Sequence, residues 1–244
     1  MPRCPNGTRR NKKTGICESN KNKGTQRSKH SSEMSDKDDM SNKDLSGKDL
    51  SGKDLSNQDL SNKNFSNTKF VKSTLIGTEF INSNLKGANF KGANLSAAVL
   101  EGADLEGANL EGAILVEAYL NDANLRNTKL KGANFTAAQL ECAKLLTKLE
   151  GVNLSFTRLK SQDFENAKLK GANLKSANLR GINLRGADLR GADLRDADLR
   201  GADLENANLK DATLYGANLK GATLYGAKLN GAKFEDEDIE FADM

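Results

Sequence analysis

The sequence predicts an all-β solenoid, a chain that winds around its own core and turns a corner in every five residues. Three observations carry that reading. A large apolar residue closes every fifth position from Leu45 to Leu145 and again from Leu149 to Phe234, 21 units and then 18. Two places before it stands a small residue, unbroken from Ala88 to Ala123 and from Ala187 to Ala232. Asn or Asp usually separates the two, and Gly commonly follows the large residue by two places.

The period decides between the regular structures. Five residues of α-helix advance about 500°, which would smear the leucines around the cylinder. In a straight strand, side chains alternate with period two, so positions five apart point to opposite faces. A corner in each unit resolves this, letting every Leu point inward while the coil climbs by the strand spacing of about 4.8 Å. A narrow interior already holding one Leu per unit has room for Ala and little else. Asn and Asp bond to nearby backbone in turns, and Gly suits a left-handed corner. Two inward positions in five require about 40% apolar residues; the chain has 36%.

Residues 1–40 read differently. The chain holds 37 basic and 33 acidic side chains, a net charge of +4 over 244 residues. Residues 1–32 contain nine Lys or Arg against Glu18 alone, +8, which leaves −4 for the remainder. With both prolines and few apolar side chains, the segment cannot offset its ordering entropy and is expected to be a basic, largely disordered arm. Its cluster Arg9, Arg10, Lys12 and Lys13 suits nuclear import or nucleic acid, against the commoner reading of a solvated basic tail.

The repeats from residue 41 to 234 open irregularly. Lys43, Lys48, Lys53, Gln58 and Lys63 occupy the place of Ala. A buried lysine row is too costly, so the stems snorkel outward or the first coil is weakly ordered, the latter being preferred. Between Leu145 and Leu149 the step is four, which places a kinked corner or small loop within 142–153. Phe156 then falls outward, Gln162 inward, and Cys142 outward as an incidental thiol. If four pentapeptides complete a coil, as the resemblance given below implies, Lys160, Arg180, Arg200 and Lys220 align along one outer edge fit to grip phosphates, yet Asp188, Asp193, Asp196, Asp198 and Asp203 lie among them and favour an ion-paired, solvated face. Residues 235–244 are acidic with Ile239, Phe241 and Met244 interleaved, and are expected to cap the apolar end of the coil.

The grammar of SNKDL SGKDL SGKDL SNQDL and RGADL RGADL RDADL RGADL resembles the pentapeptide-repeat proteins. The resemblance spans about residues 41–234 and implies a right-handed quadrilateral β-helix of four pentapeptides per coil. That makes about ten coils and a rod of about 47 Å. In related proteins the C-terminal end makes a homodimer, so the chain is expected as a monomer or a C-terminal homodimer. The opening CPNGTRRNKKTGIC is similar to the two-cysteine adaptor segments of proteins from large DNA viruses of eukaryotes. This implies a docking or packaging tag, with a Cys4–Cys17 disulfide, in a virus particle or the infected cytoplasm or nucleus. The alternative is a tail with two inert thiols. Zinc is disfavoured because Cys4, Cys17 and His30 leave a four-ligand site incomplete.

No set of nucleophile, base and orienter is visible, nor a phosphate loop or metal constellation, so an enzyme is not expected and no cofactor or metal is assigned. Nothing approaches the roughly 20 apolar residues of a spanning helix, and the basic N-terminus has no apolar signal region, so an intracellular protein without membrane contact is expected. The leading expectation is a noncatalytic scaffold that binds a protein partner with its outer faces. The resemblance also implies a DNA-mimicking inhibitor of type II topoisomerases, an analogy the repeat charge of only −4 weakens. The third class is nucleic-acid binding through the arm.

Overall fold

Each unit turns where the chain enters left-handed backbone. Among the described residues, the one two places after each large apolar residue of the repeats has positive φ, as at Gly47 (67°), Asn57 (58°), Lys72 (55°) and Ala97 (54°). The N–H of the next residue closes the turn onto the preceding Leu carbonyl, Ala88 to Leu85 at 3.0 Å for example. This is the hydrogen bond of a four-residue turn with its left-handed residue third, as in type II. The Asn or Asp before the Leu secures the same corner: Asn84 Oδ1 accepts the Lys86 N–H at 3.2 Å, and Asp104 Oδ1 that of Glu106 at 3.2 Å.

Four such corners bring the chain back over itself. In the computed structural model the described residues are 8–10, 17–19, 44–140, 142–145, 148–159, 163–235 and 242. Parallel bridges join residues 20 apart, Asp44 to Asn64, Asn64 to Asn84 and Asn84 to Asp104. The Leu105 N–H donates to the Asn124 carbonyl at 2.8 Å, and the Asp104 N–H to the Ser83 carbonyl at 3.0 Å. The coil is therefore four-sided, with one pentapeptide per wall. Wall A carries Leu85, Leu105 and Leu125 stacked above Phe65; wall B carries Phe70, Phe90, Leu110, Leu130 and Leu149; wall C carries Leu75, Leu95, Leu115 and Leu154; wall D carries Phe80, Leu100, Leu120 and Leu159.

The interior is filled. Leu105, Ala108, Leu110 and their equivalents are completely buried. Where Phe replaces Leu, rings fill the axis: Phe70 stacks on Phe90, centroids 4.8 Å apart at 3°. In residues 68–83 Thr or Ser takes the place of Ala, and each buried hydroxyl finds a carbonyl, Thr68 on Leu45 at 2.8 Å and Ser83 on Leu60 at 2.9 Å. That satisfies groups otherwise costly to bury.

Three expectations change or sharpen. The coil at 44–63 is regular rather than weakly ordered: Leu45, Leu50, Leu55 and Leu60 are each 1% exposed, while Lys48 is exposed and Lys53, Gln58 and Lys63 half-buried. Burying four leucines under a laddered second coil outweighs the awkward lysines, whose stems reach water. The step of four shifts the register from 20 to 19, so that Asn134 pairs with Asn153 and Gln139 with Arg158, before Lys148 to Lys168 restores 20. On wall B no bridge joins Lys129 to Lys148 among the described residues. Beyond Leu224 the core is partly exposed, and Ala242 packs against it; Gln162, Ile239, Phe241 and Met244 lie outside the described residues.

The chain divides into two compact units, Met1–Asp38 and Asp39–Met244. In the first unit β1 (Thr8–Arg10) and β2 (Cys17–Ser19) pair antiparallel, Arg9 opposite Glu18 and Arg10 opposite Cys17. These six residues pair as a short ladder within the segment expected to be largely disordered. In the second unit, among the described residues, the bridges lengthen into strands at β3 (Asn124–Leu125) and β4 (Lys144–Leu145), which pair parallel.

Candidate interaction faces

Three of every five side chains face outward, and the coil repeat stacks them into columns, so each wall is a small chemical surface. Wall C is nearly uncharged over five coils. Thr74, Ile76, Asn94, Ser96, Ile114, Val116, Asn134, Thr136 and Asn153 occupy its outward strand and turn places, with Glu117 the one charge at its corner and Phe156 beside it. Ile76 and Ile114 are 40% exposed and Phe156 55%. Phe156 also holds a left-handed φ of 58°, an unfavourable place for an aromatic residue. Its Thr and Asn are tied down, Thr136 Oγ1 to Asn134 at 2.6 Å and Asn153 Nδ2 to Asn134 at 3.0 Å.

Walls A, B and D, and wall C outside those five coils, carry charge, most of it paired in the C-terminal coils. Arg190, Arg195 and Arg200 each fold back on the Asp two places before them, forming bidentate pairs with Asp188, Asp193 and Asp198 at 2.5 to 2.8 Å. Hydrogen bonds from these guanidinium groups hold the three carboxyls below their usual range. Arg185 reaches across one coil to Glu205 and to Asp203 at 3.3 Å, and Lys86 sits 3.3 Å from both Asp104 and Glu106; these partners raise both cations. Arg180, Arg200 and Lys220 are exposed at equivalent places on wall D, with Arg200 taken by Asp198. Lys160 lies outside the described residues.

Wall B breaks this rule at the register step. Lys129, Lys131, Lys148, Lys168 and Lys170 are exposed there, with Glu150 the one acid among them, and none forms an ion pair among the described residues. The next cations along the wall are paired, Lys91 with Glu111 at 3.3 Å and Arg190 with Asp188. The missing rung leaves a cavity of about 660 Å³ lined by Asn127 to Lys131, Lys148 and Glu150. Sequence reading missed this group. Written in rows of 20 with the count reset after Leu145, Lys129, Lys148 and Lys168 fall in one column, a signal visible only once the coil length is known.

The remaining sequence-level candidates are not assembled into a site. Arg9 and Arg10 lie in β1 and Cys17 in β2; Cys4, Lys12 and Lys13 lie outside the described residues. Cys142 is a free, exposed thiol with left-handed backbone. Among the described residues no helix is long and apolar enough to cross a membrane, and no three metal-ligating side chains gather.

Comparison with known proteins places this geometry. A family model described as pentapeptide repeats matches in eight copies across residues 49–87, 75–112, 118–146, 147–186, 167–206 and 197–236. Among curated proteins none matches. Of solved structures, HetL from the cyanobacterium Nostoc sp. strain PCC 7120, involved in regulating heterocyst differentiation, is 33% identical over 80% of this chain and 92% of its own, with a TM-score of 0.37. A pentapeptide repeat protein of the Arabidopsis thaliana thylakoid lumen is 35% identical over 41% of this chain and 70% of its own, TM-score 0.40. QnrB1, a plasmid-mediated fluoroquinolone resistance protein, is 20% identical over 79% and 96%, TM-score 0.38. With the family model covering most of residues 49–236, this chain belongs to the pentapeptide-repeat family, whose fold is the right-handed β-helix.

Proposed function

We propose that the protein is a noncatalytic scaffold that binds another protein through an outer wall of its β-helix. The observation that carries this is wall C: five coils with a single charge, exposed Ile76, Ile114 and Phe156, and Thr and Asn held by neighbours, on a molecule whose other walls are dense with ions. Such a patch is where a protein partner gains most from displacing water, and a rigid backbone loses little entropy on binding. The test is affinity capture from an extract of the source cell, comparing the full chain with an Ile114→Asp, Phe156→Asp variant. A partner retained by the first and lost by the second supports the reading. No reproducible partner, or equal capture, would end it.

DNA mimicry calls for a continuous negative surface, and the lysines of wall B interrupt one. A supercoiling assay without inhibition at micromolar protein would remove that alternative. The viral origin and location implied at residues 4–17, and nucleic-acid binding by the basic segment, are separate proposals; the matched family residues begin at 49. Duplex titrations with and without residues 1–32 test the latter, a salt-insensitive or absent response excluding it.

A further inference from the structure

The register step leaves more than unpaired lysines. On wall B each coil normally donates two backbone N–H groups to the next: Leu110 to Lys129 at 2.8 Å and Gly112 to Lys131 at 3.0 Å above the step, Leu149 to Lys168 at 2.8 Å and Gly151 to Lys170 at 3.0 Å below it. The equivalent N–H groups of Leu130 and Gly132 have no such acceptor among the described residues. Leu130 lines the cavity, where Lys129, Lys131 and Lys148 supply ammonium groups and Glu150 a carboxylate, and Gly132 follows Lys131 in the chain. Lys168 and Lys170 follow one coil on.

Five lysines against Glu150 leave a charge excess of +4 confined to three coils, about 10 Å along the axis at the strand spacing. Its confinement matters. A duplex laid along the wall would next meet Lys91 with Glu111 and Arg190 with Asp188, cations already neutralised. An anion of one charge would leave most of the excess unmatched. Phosphate groups present several strong acceptor oxygens, which suits both the rotatable ammonium donors and fixed amides, and the cavity is of the size that holds a small ligand.

We propose that this cleft binds a compact anion carrying at least two phosphate groups, seated on Lys129, Lys131 and Lys148 and on the amide of Leu130. The ligand is a free polyphosphate or the phosphate chain of a nucleotide. The test is calorimetric titration of the full chain with inorganic tripolyphosphate, adenosine triphosphate, orthophosphate and sulfate, at low and physiological ionic strength. The amide NMR shift of Leu130 serves as the positional readout. Tripolyphosphate is expected to bind more tightly than orthophosphate or sulfate and to move that amide. Lys129→Gln and Lys148→Gln are each expected to weaken binding about tenfold, while Lys210→Gln on the same wall leaves it unchanged. Equal binding of adenosine triphosphate identifies the phosphate chain as the recognised part; tighter binding assigns a nucleotide. The proposal is overturned if tripolyphosphate and sulfate titrate alike, if no heat or shift appears at low ionic strength, if Lys210→Gln costs as much as Lys148→Gln, or if a single-stranded oligonucleotide outcompetes tripolyphosphate.

Discussion

Asn67 Oδ1 lies where a methyl group on Gly87 would have to go, 2.5 Å from an ideal Cβ, whereas nothing lies within 4 Å of the same position on Gly107. Both glycines hold left-handed backbone, φ 65° and 70°. The pairing recurs, with Asn57 over Gly77 and Asn166 over Gly186, so a left-handed Asn in one coil constrains its successor. Changing either glycine to Ala incurs the left-handed penalty of about 1–2 kcal/mol, and Gly87→Ala adds about 1 kcal/mol more from the displaced Asn. Chemical denaturation of the two variants checks this; equal losses would show that the contact relaxes freely. The converse holds at Ala97, φ 54°. Ala97→Gly relieves backbone strain but frees the unfolded chain, for an expected net gain of about 0.5 kcal/mol. Gly at the corner was legible from spacing alone. Which glycines carry an Asn above them was not, because that contact spans a whole coil.

At the scale of a wall, stability lies in the ladder, and wall B is where it is interrupted. The amides of Leu130 and Gly132 are expected to exchange with solvent faster by orders of magnitude than those of Leu110 and Gly112, one coil away. Comparable protection would mean the rung forms in solution. The unbroken ladder above is reinforced from inside by hydroxyls, so Thr68→Val, which removes the bond to the Leu45 carbonyl, is expected to cost about 1 kcal/mol. The four-residue step between Leu145 and Leu149 was plain in the sequence, as was the snorkelling alternative for Lys48 and Lys53. What stayed hidden was the wall on which the gap would open. The period of five shows that the chain turns, and only the number of turns per coil shows what stacks on what.

Over the whole repeat unit, acid acts unevenly. The carboxyls of Asp44, Asp49, Asp54 and Asp59 are held low chiefly by hydrogen bonds from the serines two places on, and those of Asp188, Asp193 and Asp198 by arginine. A depressed carboxyl stabilises the fold above its unfolded value, about 3.9, and that stability is lost as pH falls through the lower folded value. Thermal stability is therefore expected to be level from neutral pH to about 5 and to fall below about 4. The loss should begin in coils 44–63 and 188–203, because the central coils use Asn89, Asn94, Asn109 and Asn134, which make the same turn without titrating. Uniform loosening by hydrogen exchange would contradict this. Inside, Leu105 is fully buried within a column of leucines, and Leu105→Ala is expected to cost about 3–5 kcal/mol.

The Asn that shelters a glycine one coil on has a bearing on how such a chain lengthens. Copying a single pentapeptide would rotate every later unit by a quarter turn against the earlier ones and set each sheltering Asn of the coil at the junction above a stranger. Copying twenty residues preserves every vertical neighbour. Growth by whole coils is thus the tolerated route, and any odd insertion or deletion leaves a lasting scar such as the one at Leu145.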